Sequence, residues 1–310
     1  MEPITKIFSF NNQCIPNTKK ENKEWAVVTG ATDGIGLEFS LQLASKGYNI
    51  LLIGRDNIKL YKVENEIKNK FNNTVLVKSA TVDFTNPKNF FKRLVDIAID
   101  INVSVVINNV GMSYEHPCYF VENSIEIYDN MINCNIVPMI NFTYLFMYIY
   151  LTKNKGVYIK RNKRLYILNV SSILGYINAP LLSVYGATKS FISKLTTDLQ
   201  QEVKLIKRDI DPKSQITIEQ ITPWLISTKM SQVKPSIFAP DSKTYVHYIL
   251  TYGKYIPHEI LTFLIKLPLI GKFIETKLTE KMVKSRARNF KSKYLKNYKE
   301  EEKEEEKKED

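Results

Sequence analysis

Cysteine is scarce in this 310-residue chain: Cys14, Cys118 and Cys134 are the only three. They are too few and too scattered for a disulfide framework or a C-x-x-C metal site, so reduced thiols, no metal and a cytosol-facing compartment are expected. Long apolar runs are lacking at the start as well. The opening "MEPITKIFSFNNQCIPNTKKENKEW" has neither the apolar stretch of a signal peptide nor that of a spanning helix, and residues 1–24 read as a polar lead-in. Acidic side chains are thin outside the last dozen residues. The net charge is +12, but residues 299–310 hold four Lys and eight Asp or Glu, which leaves 40 basic against 24 acidic side chains elsewhere, or +16. A basic body can attract nucleic acid, anionic lipid or phosphate-bearing ligands, and since no nucleic-acid motif is present the last is the most economical. The sequons at Asn72, Asn102, Asn141 and Asn169 are what an Asn-rich chain produces by accident, and Asn169 lies in an apolar run that reads as buried.

What is present is a regular alternation. The hydrophobic content of 44% is enough for one large core. "AVVTG" (26–30) is a short β-branched run, followed by glycines and by "LEFSLQLASKG", which has helical apolar spacing and stops at Gly47. "NILLIGR" (49–55), "TVLVKSATVDF", "VSVVINNVG" (103–111), "LYILNVSS" (165–172) and "QITIEQITP" (215–223) repeat the strand signal, with helical segments such as "YKVENEIKNKF" between them. Strands alternating with helices predict an α/β fold, a doubly wound parallel sheet with helices on both faces. Ligands of such sheets bind beyond the carboxyl ends of the strands, where every motif below falls.

The first motif, "TGATDGIG" (29–36), joins the first strand to the first helix. Gly30, Gly34 and Gly36 permit a tight turn and let backbone N–H groups approach a pyrophosphate at a helix N-terminus. Between a strand and a helix such a loop is a stronger signal than a lone glycine-rich turn. The second motif is "SVYGATKSF" (183–191), with Tyr185 and Lys189 four residues apart. On a helix these share a face, and the ammonium would lower the phenol's pKa and make it a usable acid or base. A surface Tyr–Lys pair is the plain alternative.

"TGATDGIG", "NNVG" (108–111), Ser172 in "NVSS" and "YGATK" occur in the order and approximate spacing of the short-chain dehydrogenase/reductase family, which the chain resembles over roughly residues 24–265. Within it, "WAVVTGATDGIG", "NNVGMSYEHPCYF" (108–120) and "APLLSVYGATKSF" (179–191) resemble the 3-oxoacyl-CoA reductases of fatty acid elongation, relatives of 17β-hydroxysteroid dehydrogenases. The resemblance implies a Rossmann fold in a single domain, 25–255, with a C-terminal helical extension over 256–298 and a disordered charged tail over 299–310. It implies an oxidoreductase that reduces a 3-oxoacyl-CoA. The alternatives are a 17β-type dehydrogenase acting on a steroid or other lipophilic ketone and, more distantly, a non-catalytic dinucleotide-binding scaffold. The connection "YLTKNKGVYIKRNKRLYI" (150–167) is longer and more basic than the family usually has and reads as a surface excursion, and the N-terminal anchor of many relatives is missing.

A reductase needs a proton donor and a second hydrogen-bond donor at the carbonyl oxygen. By resemblance Tyr185 and Ser172 take these parts, although Ser172 could be a turn serine. Lys189 would tune the phenol and hold the nicotinamide ribose. Asn135, in "NCNIVPM", matches the family's asparagine, whose side chain holds a relay water, with a structural asparagine as the alternative. For the cofactor, Arg55 in "LLIGRDN" suits a 2′-phosphate and so favours NADPH, with Asp56 beside it leaving ambiguity and an exposed helix-opening Arg as the plain reading. Thr32, Asp33 and Ile35 join the glycines as cofactor-binding positions. Asp83 would contact the adenine, Asn109 and Gly111 would line the cofactor, and Pro223 and Thr228 in "ITPWLISTKM" would face the nicotinamide.

Expected partners are the acyl-CoA or lipophilic ketone, a fatty acid elongation complex, a membrane surface and a second copy of the chain; nucleic acid is not expected. "IPHEILTFLIKLPLIGKFIETKL" (256–278) is interrupted by Lys266, Pro268 and Lys272. It reads either as an amphipathic segment lying in a membrane interface or as a pair of helices packed on the core. The final "KKED" matches a K-K-x-x endoplasmic reticulum retrieval signal, though composition alone could place Lys307 and Lys308 there. The expected location is the cytosolic face of the endoplasmic reticulum membrane, with the cytoplasm as the alternative.

Overall fold

A computed structural model describes residues 23–86, 90–152, 164–231, 233–265 and 267–309. Nearly all of the polar lead-in, the central part of the basic connection over 150–167, Lys266 and the final Asp310 lie outside the described residues, as do the side chains beyond residue 289.

Six short runs of Val, Ile and Leu form the strands β1 (Trp25–Thr29), β2 (Asn49–Gly54), β3 (Val77–Thr81), β4 (Val103–Asn108), β5 (Leu165–Val170) and β6 (Ile216–Ile221). They pair in parallel in the order β3-β2-β1-β4-β5-β6. All six correspond to the runs read from the sequence. β1, β2, β4 and β5 are buried along their whole length, as strands covered on both faces must be.

Helices α1 (Gly34–Ser45), α2 (Asn57–Lys70) and α7 (Ser242–Tyr252) cover one face through Phe39, Leu43, Leu60, Ile67, Tyr245 and Val246. The other face is covered by α3 (Phe90–Ala98), α5 (Val137–Thr152) and α6 (Ser183–Asp209), with Leu94, Phe142 and Phe146 in its core. Three helices start where the sequence offers an acidic cap. Asp33, Asp56 and Asp241 accept from the backbone N–H of Gly34 (2.8 Å), Lys59 (3.0 Å) and Thr244 (2.7 Å).

α4 (Ile125–Asn135) is separated from α5 by Ile136, because Pro138 cannot continue the preceding helix and is tolerated only in a first turn. Together α4 and α5 span 28 residues and include an 18-residue stretch of mean hydropathy 1.3, apolar enough to cross a membrane, but half of that stretch is buried and α5 packs on β4 and β5 as a core helix. The chain closes with α8 (Ile256–Ile265) and the long α9 (Pro268–Glu309). The backbone of α9 runs through the charged stretch that the sequence reading left disordered. The strand order reverses between β1 and β4, so the crevice beyond their carboxyl ends is where such a sheet takes a ligand.

Candidate active site

The turn from β1 into α1 is built on close contact that only glycine permits. Gly30 and Gly34 have φ of +65° and +55°, and a Cβ on Gly36 would fall 2.2 Å from the Gly30 carbonyl oxygen. Thr32 packs its methyl against the end of β2, where a Cβ on Gly54 would lie 3.2 Å away. Ile35 rests on the adjoining core. Asp33 caps α1 and pairs with Lys229 at 3.0 Å. The result is a cradle of backbone at a helix N-terminus.

Asn109 supports this cradle from β4. Its Nδ2 donates to the Thr29 carbonyl (2.9 Å), and its own N–H and that of Val110 donate to the Thr29 hydroxyl (2.9 and 3.0 Å). The Asn109 amide, at the edge of the crevice, holds the turn. Gly111 opens the crevice: a Cβ there would meet Asn135 Oδ1 at 3.3 Å and Lys189 Nζ at 3.6 Å.

At the end of β2 the two candidate discriminators separate. The Asp56 carboxylate is occupied as the cap of α2, and the Lys59 backbone N–H holds its pKa below the usual carboxylate range. Arg55 is exposed. Asp83 turns one oxygen onto the Thr85 hydroxyl and N–H (2.8 and 3.0 Å), and these bonds, more than the nearby Arg55, lower its pKa.

The four residues expected at the reaction centre converge. Ser172 follows β5 and caps a short 3₁₀ turn, accepting from Leu174 N–H at 3.2 Å. The Ser172 side chain is near enough to the Tyr185 phenol to lower its pKa. Lys189 is 4% exposed, lies 5.7 Å from the Tyr185 ring centroid and donates to the Val170 carbonyl at 2.9 Å. Burial pushes its pKa down to about 8. For Tyr185 the expected lowering of pKa is reversed: burial raises it and the neighbouring Ser172 side chain only partly offsets that. The reason is geometric, because the ammonium is directed at a carbonyl rather than at the phenol oxygen.

Asn135 is held at both ends of its amide. Its Oδ1 accepts from Met112 N–H (2.7 Å), and its Nδ2 donates to the Met112 carbonyl and to Thr188 Oγ (3.0 Å each). Thr188 donates in turn to the Tyr185 carbonyl at 2.8 Å. The side chain therefore clamps the crevice segment to α6, which is the structural role the residue alone left open.

Pro223 follows β6, and its carbonyl accepts from Ile173 N–H (3.1 Å), beside Ser172. Thr228 reaches back over the cradle, its methyl 3.4 Å from where a Cβ on Gly34 would be. Residues that sequence reasoning missed also hold this site. The Tyr114 hydroxyl accepts from Val184 N–H (3.1 Å), one residue before Tyr185. Trp224 in the covering loop donates from its indole to Thr262 of α8 (3.1 Å). Tyr114 sits in the segment that follows "NNVG", which was the only hint.

A family model described as short chain dehydrogenase matches residues 24–236. The very-long-chain 3-oxoacyl-CoA reductase of Mus musculus is 37% identical over 228 residues, covering 72% of this chain and 66% of that protein, just under two thirds of its length. The Caenorhabditis elegans reductase of the same designation is 35% identical over 287 residues, covering 89% of this chain and 84% of its own length. Among solved structures, a short-chain dehydrogenase from Sphingobium yanoikuyae in complex with NADPH superposes with a TM-score of 0.60 at 20% identity. That match covers 73% of this chain and 83% of that one.

Proposed function

The chain belongs to the short-chain dehydrogenase family, and from that premise we propose that it is an NADPH-dependent reductase of long-chain 3-oxoacyl-CoA, acting in fatty acid elongation. The observation that carries this is the convergence of Ser172, Tyr185 and Lys189 at the carboxyl end of β5, in a chain whose relatives across most of its length bear that reductase's name. The catalytic unit is residues 25–255, with 256–298 as its extension.

The residues fit a dinucleotide. The glycine cradle takes a pyrophosphate, Arg55 a 2′-phosphate while Asp56 is occupied as a cap, and the gap at Gly111 brings a ribose against Lys189. The reduced nicotinamide would supply hydride to the C3 carbonyl carbon. Tyr185 gives its hydroxyl proton to the carbonyl oxygen, and Ser172 orients that oxygen by a hydrogen bond. Lys189, with a pKa of about 8, holds a proton inside the buried site beneath the phenol. One hydride and one proton convert the ketone to the 3-hydroxyacyl product.

Attachment to a membrane surface is supported by α8 and the start of α9. Ile256, Ile260, Phe263, Leu269, Ile270 and Phe273 are exposed there, next to the exposed Lys272, Lys277, Lys281 and Lys284. An apolar face beside cations suits an interface with anionic headgroups. The other side of α8 packs on the covering loop through His258 and Thr262, which leaves the exposed side as the one that would lie in the interface. The endoplasmic reticulum placement adds the terminal "KKED", whose side chains lie outside the described residues. A homodimer is supported by the exposed row Ile140, Tyr144 and Tyr148 on α5.

The deciding measurement follows NADPH oxidation with a long-chain 3-oxoacyl-CoA and with a 17-ketosteroid. Preference for the steroid would replace the substrate, and no turnover with either would leave only a binding role. A tagged chain found wholly in the soluble fraction would reject the membrane attachment.

A further inference from the structure

Two loops rim the tyrosine, and neither is held by the sheet alone. One runs from Gly111 to the 3₁₀ turn Phe120–Glu122, and the other from Ser172 to Tyr185. They are stitched to each other where the Cys118 N–H donates to the Leu181 carbonyl (3.1 Å) and the Val184 N–H to the Tyr114 hydroxyl (3.1 Å). Leu181 adopts φ +68°, a left-handed conformation uncommon outside glycine and asparagine, so this junction stores strain that other contacts must support.

Those contacts come from α9. Gly271, Ile274, Glu275, Leu278, Met282 and Arg286 are among the residues of its first five turns that are buried or half-buried, and their three- and four-residue spacing puts them on one face. Two of them are polar and each grips one loop. Glu275 accepts from the Asn178 backbone N–H and Nδ2, both at 3.3 Å. Arg286 donates from Nε to Glu122 Oε2 at 3.1 Å and from Nη2 to Glu122 Oε1, and its guanidinium carbon lies 4.2 Å from the Tyr119 ring centroid. Glu122 in turn accepts from the Tyr119 N–H at 2.7 Å, so the arginine's partner is itself fixed within the loop. A bidentate, stacked guanidinium fixes direction as well as distance.

We infer that Arg286 and Glu122 are positioning residues: through them α9 is strapped across both substrate-side loops and fixes the rim against which the ketone's acyl or ring body binds. They do not touch the reacting atoms. The inference rests on the reductase reading for its kinetic consequence and on geometry alone for its structural one. The strap acts on the substrate side: its bonds to Asn178 and Glu122 go to the substrate-side loops and not to the dinucleotide cradle at β1 and β2. Its loss should therefore show in substrate KM rather than in NADPH affinity.

The test uses the full chain with Arg286→Glu, Glu122→Arg and the exchanged pair E122R/R286E. Hydrogen exchange of residues 112–122 and 176–182 is read without substrate, and kinetics are read with a long-chain 3-oxoacyl-CoA. Each single change should speed exchange in both loops and raise KM about tenfold, with kcat within about threefold and NADPH affinity unchanged. The exchanged pair should recover most of both losses, as a direct pair does in a double-mutant cycle. Unchanged exchange in the single variants, or no recovery in the exchanged pair, overturns the strap. A wild-type chain that turns over no 3-oxoacyl-CoA would refute the reductase reading instead, and the exchange data would still decide the strap.

Discussion

Lys189 lies under Tyr185, 5.7 Å from its ring centroid, but gives its hydrogen bond to the Val170 carbonyl at 2.9 Å. The phenol's proton is thus held by burial, beside Ser172, which makes Tyr185 a proton donor in its resting state. Tyr185→Phe should lower turnover by about 10²-fold or more, the scale of a removed general acid. NADPH binding should stay near wild type, since the ring and Lys189 remain. Fluorescence titration of NADPH beside steady-state rates separates the two, and a Phe variant of near-normal rate would refute the assignment.

Arg55 and Asp56 are neighbours with different duties. Arg55→Ala should weaken NADPH by about 1–3 kcal/mol, the scale of charge-assisted hydrogen bonds, and barely change NADH. Asp56→Ala should lower the melting temperature, as the loss of a helix cap does, and leave the cofactor preference alone. Equal losses of both cofactors in the arginine variant would make Arg55 structural.

Gly36 is the least replaceable glycine of the cradle. Its Cβ would stand 2.2 Å from the Gly30 carbonyl oxygen and 2.5 Å from Asn109 Nδ2, both parts of the turn itself. Gly36→Ala must push α1 off β1, so it should abolish measurable NADPH binding and lower the melting temperature. Gly34→Ala meets nothing nearer than the Thr228 methyl at 3.4 Å, an ordinary contact, and its cost is the φ of +55°, about 1–2 kcal/mol. Similar behaviour of the two variants would contradict this reading of the turn.

The strands were legible because a parallel sheet buries both faces, leaving unbroken runs such as "NILLIG" that no surface element would carry. The motifs were legible because positive φ and close approach demand glycine at Gly30, Gly34 and Gly36. Less legible was what each polar side chain holds. Asn135 and Asn109 face the site by position, but their amides are taken by Met112, Thr188 and Thr29. The phenol pKa followed burial, a property of the whole fold, instead of its four-residue spacing to Lys189. The Glu122–Arg286 pair joins residues 164 positions apart and follows no local pattern.

His258 ties α8 to the loop that covers the site and sets a pH limit on stability. It is 3% exposed, its Nδ1 accepts from the Trp224 N–H at 3.4 Å, and its Nε2 lies 3.2 Å from the Phe238 carbonyl, which only a neutral ring protonated on Nε2 satisfies. The rings of Tyr245 and Tyr255 pack on it at 5.4 and 4.9 Å. Burial pushes its pKa from 6.5 down to about 4. The unfolded chain therefore takes up the proton first as pH falls. The stabilisation is full above about pH 6.5 and is lost between there and about pH 4, amounting to about 3 kcal/mol. Urea unfolding from pH 7 to 4 should show the wild type losing about that much more than His258→Gln, which has no charge to gain. Below that window the two curves should run parallel, because both forms of His258 are then protonated. Parallel curves throughout the window would mean that the ring titrates alike in the folded and unfolded chain, and that the covering loop is held without it.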